Sequence, residues 1–130
     1  MSTSTKSTET KDPHLQIGRV AGCLRTDGVA EMWLVNTSHG SAELAEDARR
    51  VGRELLKGEG GRILLDCTGL RTSDARSRRF QPFPDTQRIA FFVPDHVSRW
   101  VVRAFLAISR PAFPTRVFRE KAAANEWLEA

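Results

Sequence analysis

The sequence predicts a single α/β domain with a mixed, mostly parallel sheet of about five strands and about four helices, in the order ββαβαβαβα. Three observations predict it. Two apolar-rich runs joined by Arg25-Thr26-Asp27-Gly28 open the chain, and short, nearly continuous apolar runs then alternate with segments of helical period. A length of 130 residues with 40% apolar content suits one core and leaves no room for a second domain.

The elements follow in order. Residues 1–13, MSTSTKSTETKDP, are rich in Ser and Thr and almost without apolar side chains, so they cannot bury enough surface to offset the entropy of ordering; a disordered tail is expected before a domain over 14–130. Residues 14–24 and 28–36 read as two antiparallel strands, because Asp-Gly between such runs is a strong hairpin signal. A helix over 41–57 places Leu44, Ala48, Val51 and Leu55 on one face, with Ser41 as N-cap and Gly58 as its stop. Residues 62–67 form a run apolar enough to be covered on both faces. Residues 72–80 read as a short polar helix, ended by Gln81-Pro82-Phe83-Pro84. A strand over 88–93, a helix over 95–110 capped by Asp95, a strand over 115–118 and a helix over 120–128 complete the chain. Helical crossovers imply parallel pairing with right-handed connections, and ligands of such open sheets sit beyond the C-terminal ends of the strands.

Charge is unevenly spread. Residues 14–60 carry six Lys/Arg against seven Asp/Glu, whereas 61–130 carry twelve against seven. Such an asymmetry attracts an acidic protein, anionic lipid or nucleic acid. Nucleic acid fits poorly, because no aromatic residue interrupts the basic run from Arg71 to Arg79. No apolar run reaches the roughly eighteen residues of a membrane span and the first residues lack a secretory h-region, so a soluble cytosolic protein is expected.

Enzymatic chemistry has little support. Cys23 and Cys67 fall in apolar strand-like runs and read as inert buried thiols, neither a disulfide nor a metal site. His14, His39 and His96 show no metal-binding spacing. His39, Ser41 and Asp66 lack a nucleophile elbow, and Ser41 is better explained as a cap. Gly58-Glu59-Gly60-Gly61 precedes a strand, whereas a phosphate-cradling loop follows one and opens a helix. No catalytic residue, metal or cofactor is expected.

The strand end RILLDCTGL, the strand and helix RIAFFVPDHVSRWVVRAFLAI and the ending FPTRVFREKAAANEWLEA together resemble the STAS superfamily, in particular its SpoIIAA-like branch, over about residues 14–130. The resemblance implies a small non-enzymatic domain. Classical members are anti-sigma factor antagonists that dock a kinase-type partner and are switched by serine phosphorylation, and the SpoIIAA-like fold is similar to lipid-carrying Sec14-type domains. The alignment puts Asp74 on the Asp that precedes the switch serine, and the next residue here is Ala75. Ser73 or Ser77 remain as modifiable hydroxyls with Arg71, Arg76, Arg78 and Arg79 beside them; otherwise Thr72 or Ser73 caps a short helix and the arginines are a solvated face.

Two binding surfaces follow. Thr68, Arg71, Ser73, Asp74, Arg76, Arg78, Arg79 and Arg99 form a candidate surface for a protein partner. In the helix over 95–110, Val97, Trp100, Val101, Ala104, Phe105 and Ile108 read as the core-facing stripe, leaving Val102 and Leu106 outside it among Arg99, Arg103 and Arg110. Trp100, Val102, Phe105, Leu106 and Phe113 are therefore the candidates for an apolar ligand or a membrane surface. Burial of Val102, Leu106 and Phe113 against the sheet weakens that second surface, and a cavity between the helix and the sheet favours it.

Overall fold

Two chain reversals at the N-terminus set the antiparallel part of the fold. The computed structural model describes residues 15–58, 60–73, 86–109 and 113–130. Strand β1 (Leu15–Ile17) turns through Gly18 and Arg19 into β2 (Val20–Leu24), with Ile17 opposite Val20. Gly18 has φ +59, as the first position of a mirror-image two-residue turn requires, and a Cβ there would lie 2.1 Å from the Asp47 carboxylate. The turn at Asp27-Gly28 then leads to β3 (Ala30–Leu34), where Cys23 pairs with Glu31. Partial burial works against the charged form of Asp27, but the Val29 amide and the Arg25 guanidinium outweigh it and hold the carboxyl below its usual range.

From β3 onward the sheet is parallel. After the two-residue β4 (His39–Gly40), helix α1 (Ala42–Leu56) crosses to β5 (Arg62–Asp66), and the chain passes β6 (Thr72–Ser73) to β7 (Arg88–Phe92). Helix α2 (His96–Ser109) crosses to β8 (Thr115–Phe118), and α3 (Lys121–Glu129) ends the fold. The main sheet has the order β1-β2-β3-β5-β7-β8, and β4 and β6 form a separate two-stranded parallel ladder. The crossovers through α1 and α2 advance the sheet in the same sense, so right-handed connections place both helices on one face. Alternation along the central strands fits this. Ile63, Leu65, Ile89 and Phe91 join the core beneath α1 and α2, while Leu64 and Ala90 meet Ala124 and Leu128 of α3 on the other face.

The expected α/β class is present, but its element count is not. Eight strands in two sheets and three helices stand among the described residues, in place of about five strands and four helices in the order ββαβαβαβα. One cause is the two-residue turn at Gly18-Arg19, which splits the expected strand over 14–24 between apolar Ile17 and Val20. The other is long-range pairing. The Ser38 carbonyl accepts from the Arg71 and Thr72 amides at 2.7 and 3.2 Å, and Thr72 and Ser73 lie extended against His39 and Gly40 instead of opening a helix. The remainder of that expected helix, 74–80, and the expected tail, 1–13, lie outside the described residues.

Helix α1 obeys its sequence signals. Ser41 Oγ accepts from the Leu44 amide at 3.0 Å, Lys57 closes the helix in the left-handed region, and Leu44, Ala48, Val51 and Leu55 are buried. Its approach to the sheet depends on Gly22 in β2. A Cβ there would stand 2.9 Å from both the Glu31 carbonyl oxygen and Leu55 Cδ1. Gly22→Ala is expected to destabilise the fold by about 1–3 kcal/mol, the usual cost of overpacking. Urea denaturation checks this, and an unchanged midpoint would show that α1 withdraws from the sheet at no cost.

Candidate functional site

The C-terminal ends of β3, β5 and β7 do not meet a closed roof. Between them, α1 and α2 lies a cavity of about 80 Å³. Leu34, Leu65 and Phe91 form its floor, Leu44, Ala45 and Ala48 of α1 one wall, and Val101, Val102 and Phe105 of α2 the other. Leu70 with Gly40 and Ser73 of the β4-β6 ladder completes it above, and Cys67 reaches it from the end of β5. The place is the one an open α/β sheet reserves for ligands.

No charged side chain lines this cavity. Cys67 is fully buried, and desolvation, reinforced by the neighbouring Asp66 carboxylate, pushes its thiol up to about 12. The thiol therefore behaves as a small apolar group, not as a nucleophile. An engineered cavity of ~150 Å³ with comparable walls binds benzene, so the smaller volume here suits a few carbon atoms, free or at the end of a chain.

Polar groups at the strand ends are engaged in local structure. Asp66 Oδ1 accepts from the Thr68 amide at 2.9 Å and from its hydroxyl at 2.5 Å. His39 Nδ1 lies 2.7 Å from the Thr72 hydroxyl. Asp95 Oδ2 accepts from the Ser98 amide at 3.0 Å, and that bond, aided by the positive charge of Arg71, holds the Asp95 carboxyl below its usual range. Among the described residues no three His, Cys, Asp or Glu side chains converge to hold a metal.

The residues of the expected partner surface have different fates. Thr68 and Arg71 are exposed, while Ser73 is half-buried in β6 against the cavity. Arg99 is buried at 8% exposure, donating to the Pro94 carbonyl at 3.1 Å and the Val93 carbonyl at 3.4 Å, with its other terminal nitrogen 2.8 Å from His96 Nδ1. Its cation is thus tied to the end of β7. Asp74, Ala75, Arg76, Ser77, Arg78 and Arg79 lie outside the described residues.

Helix α2 is rotated from the expected orientation. Ser98, Arg99, Val101 and Val102 point inward, whereas Val97 and Trp100, assigned to the core stripe, are 46% and 73% exposed. The helix is apolar more than halfway round, so periodicity leaves its rotation open, and the Asp95 cap and the Arg99 anchor fix it. The apolar candidates divide accordingly. Val102 and Phe105 line the cavity, Leu106 and Phe113 pack half-buried on the core, and Trp100 faces outward. Burial of Val102, Leu106 and Phe113 removes them from any exposed apolar patch, yet the partly open cavity beside Val102 and Phe105 supplies a concave apolar site. Leu34, Leu44, Leu65 and Phe91 were not foreseen as walls, because a residue beside a void carries the same sequence signal as a packed one. The small Ala45 and Ala48 on the inner side of α1 are the one local hint of space.

Comparison with known proteins gives two findings. A family profile described as "Domain of unknown function (DUF7793)" matches residues 37–130. The chain is also similar to the crystal structure of an uncharacterised DUF3478-family protein with a SpoIIAA-like fold from Shewanella loihica PV-4. The TM-score is 0.57 at 15% sequence identity, with 92% of this chain and 98% of that chain covered. That likeness establishes the SpoIIAA-like fold and nothing about activity. No curated protein matches the chain.

The state of Cys67 has a measurable consequence. A thiol whose ordinary value is 9.0 and whose folded value is about 12 keeps its proton longer in the native state, so its contribution to stability is complete below pH 9 and is lost as pH rises from 9 towards 12. Cys67→Ala is expected to flatten that part of the stability curve in urea titrations. In the native wild type Cys67 resists alkylation near neutral pH and reacts only on unfolding; rapid native-state labelling would contradict its burial.

Proposed function

The chain belongs to the DUF7793 family, and from that premise we propose that it is a non-catalytic binding domain, a carrier or sensor of a small apolar ligand or of one end of a longer apolar chain. The observation that carries this reading is the cavity of about 80 Å³ between α1, α2 and the strand ends, with no charged side chain in its walls. Specific ligand sites are concave, mostly apolar and found where this one is, at the carboxyl ends of parallel strands. Binding here needs no catalytic group. It draws on dispersion and on removal of apolar surface from water, at about 25 cal/mol per Å².

A second reading is favoured by the exposure of Thr68 and Arg71 directly beside the cavity roof. A cytosolic protein partner would then dock on this loop together with Arg76, Arg78 and Arg79, as anti-sigma antagonist-like domains dock theirs, without the serine switch that Ala75 replaces. Modification of Ser73 or Ser77 would act on the same surface. Replacing Arg76, Arg78 and Arg79 together with Glu is expected to abolish such a complex in a pull-down from the host while thermal stability stays nearly constant. Retention of the complex would remove the arginines from the interface.

The ligand reading is tested by native mass spectrometry of the protein purified gently from its own host, compared with its mass after denaturation. A non-covalent adduct that leaves on denaturation is the expected result, and Ala48→Leu, which fills the cavity from α1, is expected to abolish it without lowering the melting temperature. Bare wild-type protein, or an adduct that survives Ala48→Leu unchanged, would place the ligand elsewhere or nowhere.

A further inference from the structure

Val97 and Trp100 are the exposed large hydrophobic residues among those described, and they share one face of α2. The exposed positions His96, Arg103 and Ala107 extend the same face at helical spacing. No Asp or Glu occurs anywhere in His96–Ser109. His96, Val97, Arg99, Trp100 and Arg103 line a shallow hollow on this surface. Because a guanidinium only donates, Arg99 claims His96 Nδ1 as acceptor, and the His96 ring and Arg103 are both exposed on this surface.

We infer that this face of α2 is a docking surface for an anionic lipid bilayer. A Trp side chain with an apolar body and one polar N–H is suited to the head-group boundary, Val97 enters beside it, and Arg103 meets lipid phosphate. The charge is complementary. Arg103 is exposed on this face, and no carboxylate of His96–Ser109 offsets it. A second copy of the chain fits less well, since an isologous contact on this face sets each Arg103 against its symmetry mate's cationic patch with no acid to receive it. A specific protein interface needs roughly 800 Å² per partner with shape complementarity, which two large apolar side chains do not supply, whereas a fluid bilayer conforms to whatever is presented. This surface is separate from the cavity, which the opposite side of α2 lines with Val101, Val102 and Phe105.

The test is co-sedimentation of the full chain with vesicles of phosphatidylserine in phosphatidylcholine and with vesicles of phosphatidylcholine alone. The expected result is binding to the anionic vesicles that weakens as salt is raised and is at least about fivefold poorer on neutral ones, the worth of a single basic residue near an anionic surface. Trp100→Ala and Arg103→Glu each reduce partitioning by roughly tenfold, while Arg103→Lys retains it. Both side chains are exposed, and unchanged melting temperatures confirm that the variants fold. Absence of wild-type binding to anionic vesicles, equal binding to both vesicle types, or wild-type partitioning by Trp100→Ala overturns the proposal, as does capture of an acidic protein at this face by a chain that ignores both vesicles. The cavity-filled Ala48→Leu variant binds vesicles like wild type, so loss of the internal ligand and loss of the membrane surface are read separately.

Discussion

Parallel pairing of β3, β5, β7 and β8 is the constraint from which the site arises. Each parallel step needs a crossover, and successive crossovers in one direction place their helices side by side on one face of the sheet. Helix α1 lies over β1, β2 and β3, where Gly22 lets it come close, while α2 contacts β8 and the β6 ladder. The strip above the ends of β5 and β7 falls between the two helices. Small Ala45 and Ala48 do not reach across it, and the β4-β6 ladder with Leu70 covers it from above. The cavity is thus a consequence of where the crossovers land, at the position where open sheets expose their strand ends.

The opposite face shows how much of the basic character belongs to the architecture. The last carbonyls of helix α3 draw donors from arginines of the sheet: Arg62 bonds the Leu128 carbonyl at 3.0 Å, and Arg88 bonds the Trp127 carbonyl, which also accepts from the Ala130 amide, with its guanidinium over the Trp127 ring. Arg25 reaches Asn125 at 2.8 Å, and Lys121 pairs with Glu31 at the edge of β3. Arg99 does for the end of β7 what these do for α3. A count of cations in the sequence therefore overstates the charge offered to a partner, and exposed groups such as Arg71 and Arg103 carry a larger share of the surface field than their number implies.

These distinctions explain which parts of the fold could be read from the sequence. The buried strands β5 and β7, the Asp-Gly hairpin and α1 with its Ser41 cap are written in local patterns, so the chain's own chemistry announces them. The Gly18-Arg19 turn is only two residues long with apolar residues directly on either side, and β4 with β6 exists through pairing across more than thirty residues, from His39 to Thr72. Neither leaves a periodic signal. Ser73 was legible as a residue near the site, but as the start of a helix and not as a strand residue against the cavity. Trp100 and Val102 exchange the surroundings their pattern implied, because anchoring at the helix N-terminus, and not the hydrophobic stripe, fixes the rotation of α2.

That rotation also gives α2 two independent surfaces. Trp100 and Val102 are two residues apart, hence roughly 200° apart around the helix axis, so a side chain pointing at solvent and one lining the cavity are compatible in a single straight element. Had the expected stripe faced the core, the large indole would have entered the space beside Phe105 and Ala48, and Val102 would have been outside. Val101 of the expected stripe does face inward, and Val102 takes the place beside it that Trp100 would have filled; both are short side chains that leave the space open, and Arg99 holds the first turn against the Val93 and Pro94 carbonyls. The same two contacts that keep Trp100 out of the core therefore keep the cavity from being filled by it. Internal space and outward aromatic face have one structural origin, the fixed N-terminus of α2.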